Sequence, residues 1–347
     1  MAILSCLLCV LMSQIFNPIN YHGLSNLEEG EHKTLFIFGD SIFEANTVLP
    51  LPYGKSFFRH PSGRLCDGRI VPDFIAELAK LPMLPPYLQL NEHRFTDGAN
   101  FAKAGAGVLV NTKYPDMILL SEQLSYFKTT LKSMRQKLGD VEVKKVLMRA
   151  VYLFSIGAND YVGLYLDNSN ATQSYRRQFV EMVIGNCDCL GGRKIAFQNV
   201  GPLGCAPAFK EMTPQIGSEC AEELTALVML HNRALAKSLK NLENKLPGFK
   251  YSIFDFYNAL GDRVNNPTKY GFKNGKAACC GSGRYRGGMR CASGTEPYEL
   301  CSNPDDYVWF DGGHNTEAAN RQLAMLMWSG APNVTRPYNV KQLFEQA

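Results

Sequence analysis

Asp311 and His314 stand three residues apart in D-G-G-H, on a loop between the apolar run ending at Phe310 and a helical pattern that starts at about Thr316. That spacing lets the carboxylate fold back onto the imidazole Nδ1–H, fixing the tautomer and leaving Nε2 as a base. A serine suited to such a base, Ser41 in F-G-D-S-I-F, follows the strand-like run T-L-F-I-F near the other end of the chain. A serine hydroxyl is a poor nucleophile near neutral pH unless a neighbouring base takes its proton. Attack on an ester also creates an oxyanion that needs preorganised donors. The backbone N–H groups of Ser41 and Gly105 and the side-chain amide of Asn159, in G-A-N-D, are candidate donors, with Gly107 the alternative to Gly105. Together these residues describe acyl transfer. Taken singly they do not: Gly-Asp-Ser is common turn chemistry, and an Asp-His pair at a helix entrance also serves as a surface cap. The G-x-S-x-G nucleophile elbow is excluded because Phe43 stands two residues after Ser41. Of the other histidines, His22 falls in or near an apolar leader, and His32, His60 and His93 sit in polar, turn-like surroundings. His231, on the apolar stripe of a helix, reads as a packing residue.

The elements that must position these loops alternate between two periods. Thr34–Phe38, Val151–Ile156, Lys194–Val200 and Tyr251–Phe256 are short, nearly continuous apolar runs, the pattern of parallel strands buried on both faces. Ser121–Leu138 carries Leu124, Phe127, Leu131, Met134 and Leu138 at helical spacing, and Ala221–Leu246 repeats the pattern before Pro247-Gly248 stops it. Asp67–Leu81 is a third helix, with Pro72 acceptable only near its start. In Gly98–Gly107, small residues allow backbone to approach a ligand closely. Alternation of this kind implies a three-layer α/β/α domain with right-handed crossovers, whose ligand site lies beyond the carboxyl ends of the strands.

The chain has 347 residues, 46% of them hydrophobic and 20% charged, and a net charge of +4. This describes a globular protein and gives no footprint for nucleic acid, since the basic residues are scattered. No repeat or linker divides it, so residues 27–347 read as one domain, with a core over about 33–330 and a short tail. Residues 1–26 contain no Asp, Glu, Lys or Arg, and their apolar heart from Ala2 to Phe16 has the length of a signal-peptide core rather than a membrane span. No later run has the length of a membrane helix. Of eleven cysteines, Cys6 and Cys9 fall in that leader. Cys205, Cys220, Cys279, Cys280, Cys291 and Cys301 cluster among Gly, Ser, Pro and Asn, the setting of disulfide-stapled loops rather than of a zinc site. Nine remaining cysteines is an odd number, and Cys66 is the candidate free thiol. Sequons at Asn170 and Asn333 agree with export.

These segments resemble the plant branch of the GDSL-type lipase/esterases, within the SGNH hydrolase superfamily, over nearly the whole chain after the leader. F-G-D-S-I, N-F-A-K-A-G-A-G, G-A-N-D, N-V-G-P-L-G-C-A-P (Asn199–Pro207) and D-G-G-H occur in the family's order. P-Y-G-K-S-F-F, P-S-G-R-L-C-D-G-R-I-V-P-D-F-I-A-E and A-C-C-G-S-G are similar to it too. The resemblance implies Ser41 as nucleophile, His314 as base, Asp311 as its orienting acid, and Ser41, Gly105 and Asn159 as oxyanion donors. It also implies a flavodoxin-like, mostly parallel five-stranded sheet, a secretory signal, and no metal or organic cofactor. Two departures stand out. Glu44-Ala45-Asn46 replaces the usual D-x-G-N-N after the nucleophile, in a shortened loop. Asn315 stands where Pro is usual, and reads as an N-cap for the following helix.

The expectation is a secreted hydrolase of small acyl esters or lipids, with no nucleic-acid partner and no transmembrane segment. An acyltransferase would use the same acyl-enzyme with an alcohol in place of water. A catalytically impaired acyl-ligand binding protein is the reading of a different class, prompted by the altered loop.

Overall fold

Runs of five apolar residues, too short to fold as helices and lacking polar alternation, form the centre of one sheet. The computed structural model describes residues 32–87, 96–109, 118–168, 170–185, 192–212, 220–288, 291–292 and 297–346. The expected leader, with Cys6, Cys9 and His22, lies outside these residues, as does His93. From the amino end the elements are β1 (Leu35–Gly39), α1 (Val71–Leu78), β2 (Gly98–Asn100), α2 (Leu120–Leu138), α3 (Asp140–Arg149) and β3 (Val151–Ser155). There follow α4 (Ala158–Asp167), α5 (Gln173–Gly185), β4 (Lys194–Gln198), α6 (Pro207–Met212), α7 (Glu222–Lys245), β5 (Lys250–Phe254) and α8 (Phe256–Asn265). The carboxyl part holds β6 (Asn274–Ala278), β7 (Cys280–Gly281), β8 (Glu299–Leu300), β9 (Tyr307–Trp309), α9 (Glu317–Ser329), β10 (Thr335–Pro337) and α10 (Val340–Glu345).

The main sheet runs β2-β1-β3-β4-β5-β10. Its first five strands are parallel and in the expected flavodoxin-like order, with the change of winding direction between β1 and β3. Two features differ from expectation. The sheet has six strands rather than five, because β10 adds antiparallel to β5. The segment after Gly330 is therefore part of the fold and not a tail, and Val340 and Leu343 of α10 are fully buried. β2 falls in the stretch read only as a close-approach loop. A three-residue strand of Gly, Ala and Asn has no apolar run to announce it, and pairing with β1 decides it.

Every residue of β1, β3 and β4 is buried, so both sheet faces are covered. Phe38, Phe154 and Phe197 lie at one register on adjacent strands. Their rings stack in sequence, with centroids 5.0 and 5.1 Å apart. This ladder supports the strand ends from which the nucleophile loop departs. α2 and α7 appear where the apolar spacing placed them. Leu124, Phe127 and Met134 are buried on α2, but Leu138, in its last turn, is 42% exposed. α1 is shorter than expected, starting at Val71 with Pro72 in its first turn, where a missing N–H costs nothing. α4 and α5 have weaker stripes, and α3 is short and buries only Val143 and Val146; none of the three is among the helices expected from sequence.

The six clustered cysteines form disulfides and Cys66 is a buried free thiol, as expected; the pairing, which the sequence left open, is Cys205 to Cys220, Cys279 to Cys301 and Cys280 to Cys291. The last two bridges staple the 279–301 excursion against a small cluster of Leu49, Tyr53, Leu65 and Phe310. Truncating the middle of the phenylalanine ladder tests its weight. Phe154→Ala is expected to cost about 3–5 kcal/mol, read as a lower urea midpoint with the m-value unchanged.

Candidate active site

Ser41 leaves the carboxyl end of β1, beside the change of winding direction, and the preceding residues fix where it points. Gly39 has φ +146°, and a Cβ there would lie 2.1 Å from the Ser155 carbonyl oxygen of β3. Only glycine allows β1 to end this close to its neighbour. The Gln123 side chain of α2 pairs with the Gly39 backbone in both directions, accepting from its N–H at 2.9 Å and donating to its carbonyl at 2.7 Å. Beyond Ser41, Asn100 at the end of β2 donates its amide to the Phe43 carbonyl at 2.7 Å. Gln123 and Asn100 were not singled out from sequence, since an amide inside an apolar stripe carries no pattern of its own.

The acid–base pair arrives from the other end of the chain. The His314 Nε2 lies 2.9 Å from Ser41 Oγ, and Nδ1 lies 2.7 Å from Asp311 Oδ1. Asp311 is fully buried and His314 is 6% exposed. This excludes a surface helix cap, the other reading of that pair. Oδ1 of Asp311 also accepts the N–H groups of Gly313 and His314, both at 2.9 Å, and Oδ2 accepts the Tyr53 hydroxyl at 2.7 Å. Thr316, not Asn315, caps α9, its hydroxyl accepting from the Ala319 N–H at 3.2 Å. Asn315 instead forms a bridge with Trp309, which turns the loop.

Loops after β2 and β3 complete the constellation. Gly105 has φ +78°, a left-handed backbone that favours glycine and exposes its amide. Among the described residues the N–H groups of Ser41 and Gly105 have no acceptor. Asn159, in the first turn of α4, donates to the Ala106 carbonyl at 2.9 Å and retains a second amide hydrogen. Its neighbour Asp160 accepts from the N–H groups of Val108 and Leu109, the latter at 2.8 Å. A Cβ on Gly107 would face that carboxylate at 3.0 Å. The α-carbon of Gly107 thus packs against the Asp160 carboxyl group, which favours Gly105 as the candidate oxyanion donor. Ser41, Gly105, Asn159 and His314 all line one cavity of about 380 Å³, whose walls include Ile42, Leu65, Val162, Phe209 and Trp309. Among the described residues no group of His, Cys, Asp and Glu side chains is placed to hold a metal.

The altered loop is held by the residue that makes it unusual. The Glu44 carboxylate is fully buried and accepts from Lys103 Nζ at 2.7 Å, the Ala104 N–H at 2.5 Å and the Thr47 hydroxyl. It joins the nucleophile loop to the residue before Gly105. His231 is a packing residue as expected. Burial pushes it down to about 3, so it stays neutral, and its Nδ1 lies 2.7 Å from the Tyr161 hydroxyl.

Asp40 is the electrostatic exception. Burial raises its carboxyl to about 7, partly opposed by the Ile42 N–H and the nearby His314. Because the folded value exceeds the unfolded one, the native state binds the extra proton between about pH 4 and pH 7. Stability therefore falls as pH rises through that window, by on the order of 4 kcal/mol when complete. Asp40→Asn keeps an oxygen for the Ile42 N–H and removes the titration. It is expected to raise the melting temperature by several degrees at pH 8, with the gain vanishing near pH 4. Thermal unfolding of both proteins at the two pH values checks this.

Comparison with known proteins agrees with this geometry. The GDSL-like Lipase/Acylhydrolase family matches residues 35–327. The chain is 46% identical to GDSL esterase/lipase 1 of Arabidopsis thaliana, over 90% of each chain. It is 44% identical to a GDSL lipase of Tanacetum cinerariifolium, over 92% of this chain and 90% of the other. An Inactive GDSL esterase/lipase-like protein 25 of Arabidopsis thaliana is more distant, 34% identical over 90% of this chain and 74% of its own. With a match that spans the five parallel strands and every candidate-site loop described above, this chain belongs to the GDSL-like lipase/acylhydrolase family.

Proposed function

We propose that the protein is a secreted serine esterase that hydrolyses carboxylic esters through an acyl-enzyme on Ser41. The observation that carries this reading is the continuous hydrogen-bonded line from Ser41 Oγ through His314 to a buried Asp311. Ser41 Oγ bonds to the acyl carbonyl carbon while its proton passes to His314 Nε2. The carbonyl oxygen takes up negative charge facing the Ser41 and Gly105 N–H groups and the Asn159 amide. Collapse breaks the ester C–O bond, and Nε2 returns the proton to the leaving alcohol. Water then repeats the sequence, giving up its proton to Nε2 and releasing the carboxylic acid from Ser41. Asp311 stays ionised throughout and holds the imidazole in the tautomer that presents Nε2.

The apolar walls around Ser41 suit the acyl part of the substrate. Export is supported by the charge-free leader, by three disulfides and by sequons whose Asn170 and Asn333 are both exposed. No helix among the described residues is long and apolar enough to cross a membrane.

A fluorophosphonate probe, followed by peptide mass spectrometry, is expected to place one adduct on Ser41 and none on Ser41→Ala. A well-folded protein that fails to label would favour the acyl-ligand binding reading. Asn159→Ala is expected to lower kcat by roughly 10²-fold through loss of one oxyanion donor, with KM little changed. Hydrolysis rate is expected to fall on acidification, because a protonated Nε2 cannot accept the serine proton. A rate flat from about pH 5 to 8 would remove His314 from the role of base.

A further inference from the structure

We propose that Tyr53 is a positioning residue of the acid–base pair: its hydroxyl, held from behind by the Cys291 N–H, fixes the Asp311 carboxylate so that His314 faces Ser41. This rests on the serine-esterase reading. Tyr53 is fully buried, and its hydroxyl donates to Asp311 Oδ2 at 2.7 Å while accepting from the Cys291 N–H at 2.8 Å. Its single proton is therefore committed to the carboxylate. The ring packs edge-on against Phe310, the residue before Asp311, with centroids 5.2 Å apart.

The support behind the phenol is covalent. Cys291 is bonded to Cys280, whose N–H donates to the Phe310 carbonyl at 2.7 Å. The stapled excursion thus grips both the strand leading into Asp311 and the phenol that touches it. Asp311 Oδ1 is fully occupied by three N–H groups, and Tyr53 donates to Oδ2. With Oδ2 pinned, the carboxylate cannot rotate away from the line of Nδ1–H. An orienting group of this kind changes the chemical step and leaves substrate binding alone. It also draws negative charge away from the imidazole. Losing the hydroxyl therefore favours the protonated imidazole and moves the acid limb of the pH–rate profile to higher pH. Asp40, the other carboxylate whose charge reaches His314, is the same in both proteins.

Tyr53→Phe keeps the ring packing and deletes only the hydroxyl. On p-nitrophenyl butyrate it is expected to lower kcat roughly tenfold, leave KM unchanged and shift the acid limb upward. In an Asp311→Asn background the same substitution is expected to have no further effect on fluorophosphonate labelling rate, because the two residues act as one unit. An unchanged kcat and acid limb in Tyr53→Phe, or an equal loss in the Asp311→Asn background, would overturn the positioning role while leaving the esterase reading intact. A wild-type protein that does not label would overturn both.

Discussion

The 2.9 Å contact between Ser41 Oγ and His314 Nε2 joins residues 273 positions apart, and most of the fold serves to keep it. A displacement of about 1 Å at such a contact costs on the order of 10²-fold in rate. The serine end is fixed at the centre of the sheet, where Gly39 runs against Ser155 and is held by Gln123. The histidine end is fixed outside the main sheet. There the Phe310 N–H donates to the His314 carbonyl at 2.7 Å and the Thr316 N–H to the Val308 carbonyl at 3.1 Å. A loop anchored on both sides of His314 has little freedom to carry the imidazole away from the serine. Neither end depends on a long flexible side chain.

The second constraint is charge. Four carboxylates, Asp40, Glu44, Asp160 and Asp311, are buried around a cavity meant to receive an ester, and each is treated differently. Asp311 accepts four hydrogen bonds and Glu44 accepts three, so the oxygens of both are partnered in place of water. Asp160 has two backbone N–H groups, yet burial still raises its carboxyl. Asp40 accepts the Ile42 N–H, and burial raises its carboxyl to about 7. A buried charge with one donor is a cost that packing alone would remove. Its persistence beside the nucleophile fits a site in which stability yields to electrostatic environment.

Much of this arrangement was legible in the sequence because its signals are local. A five-residue apolar run declares a buried strand, and the spacing of Leu124, Phe127 and Met134 declares one helix face. D-G-G-H fixes its own geometry over three residues. What was not legible depends on contacts between distant segments. β2 has no apolar pattern, and β10 is too short to declare itself, so the sheet gained a sixth strand only through pairing with β5. Gln123, Tyr53 and Asn100 act through partners 84, 258 and 57 positions away, distances at which one sequence carries no signal. Asn315 was assigned a cap by residue type, but Thr316 holds it, because Asn315 is drawn into a bridge with Trp309.

The departure after Ser41 raised the question of whether the site is disarmed, and the contacts of Glu44 bear on it directly. Were the loop loosened, its acid would lie in solvent and the Asn100–Phe43 bond would have nothing to hold. Instead Glu44 is fully buried, and Lys103, with a side chain 26% exposed, closes over it. The carboxylate reaches the Ala104 N–H, one residue before Gly105. A change at position 44 is therefore transmitted to the backbone that presents the Gly105 N–H, while Ser41 remains fixed by Gly39 and the end of β1. The physical consequence of the unusual loop falls on the placement of an oxyanion donor, and so on rate, before it falls on the nucleophile.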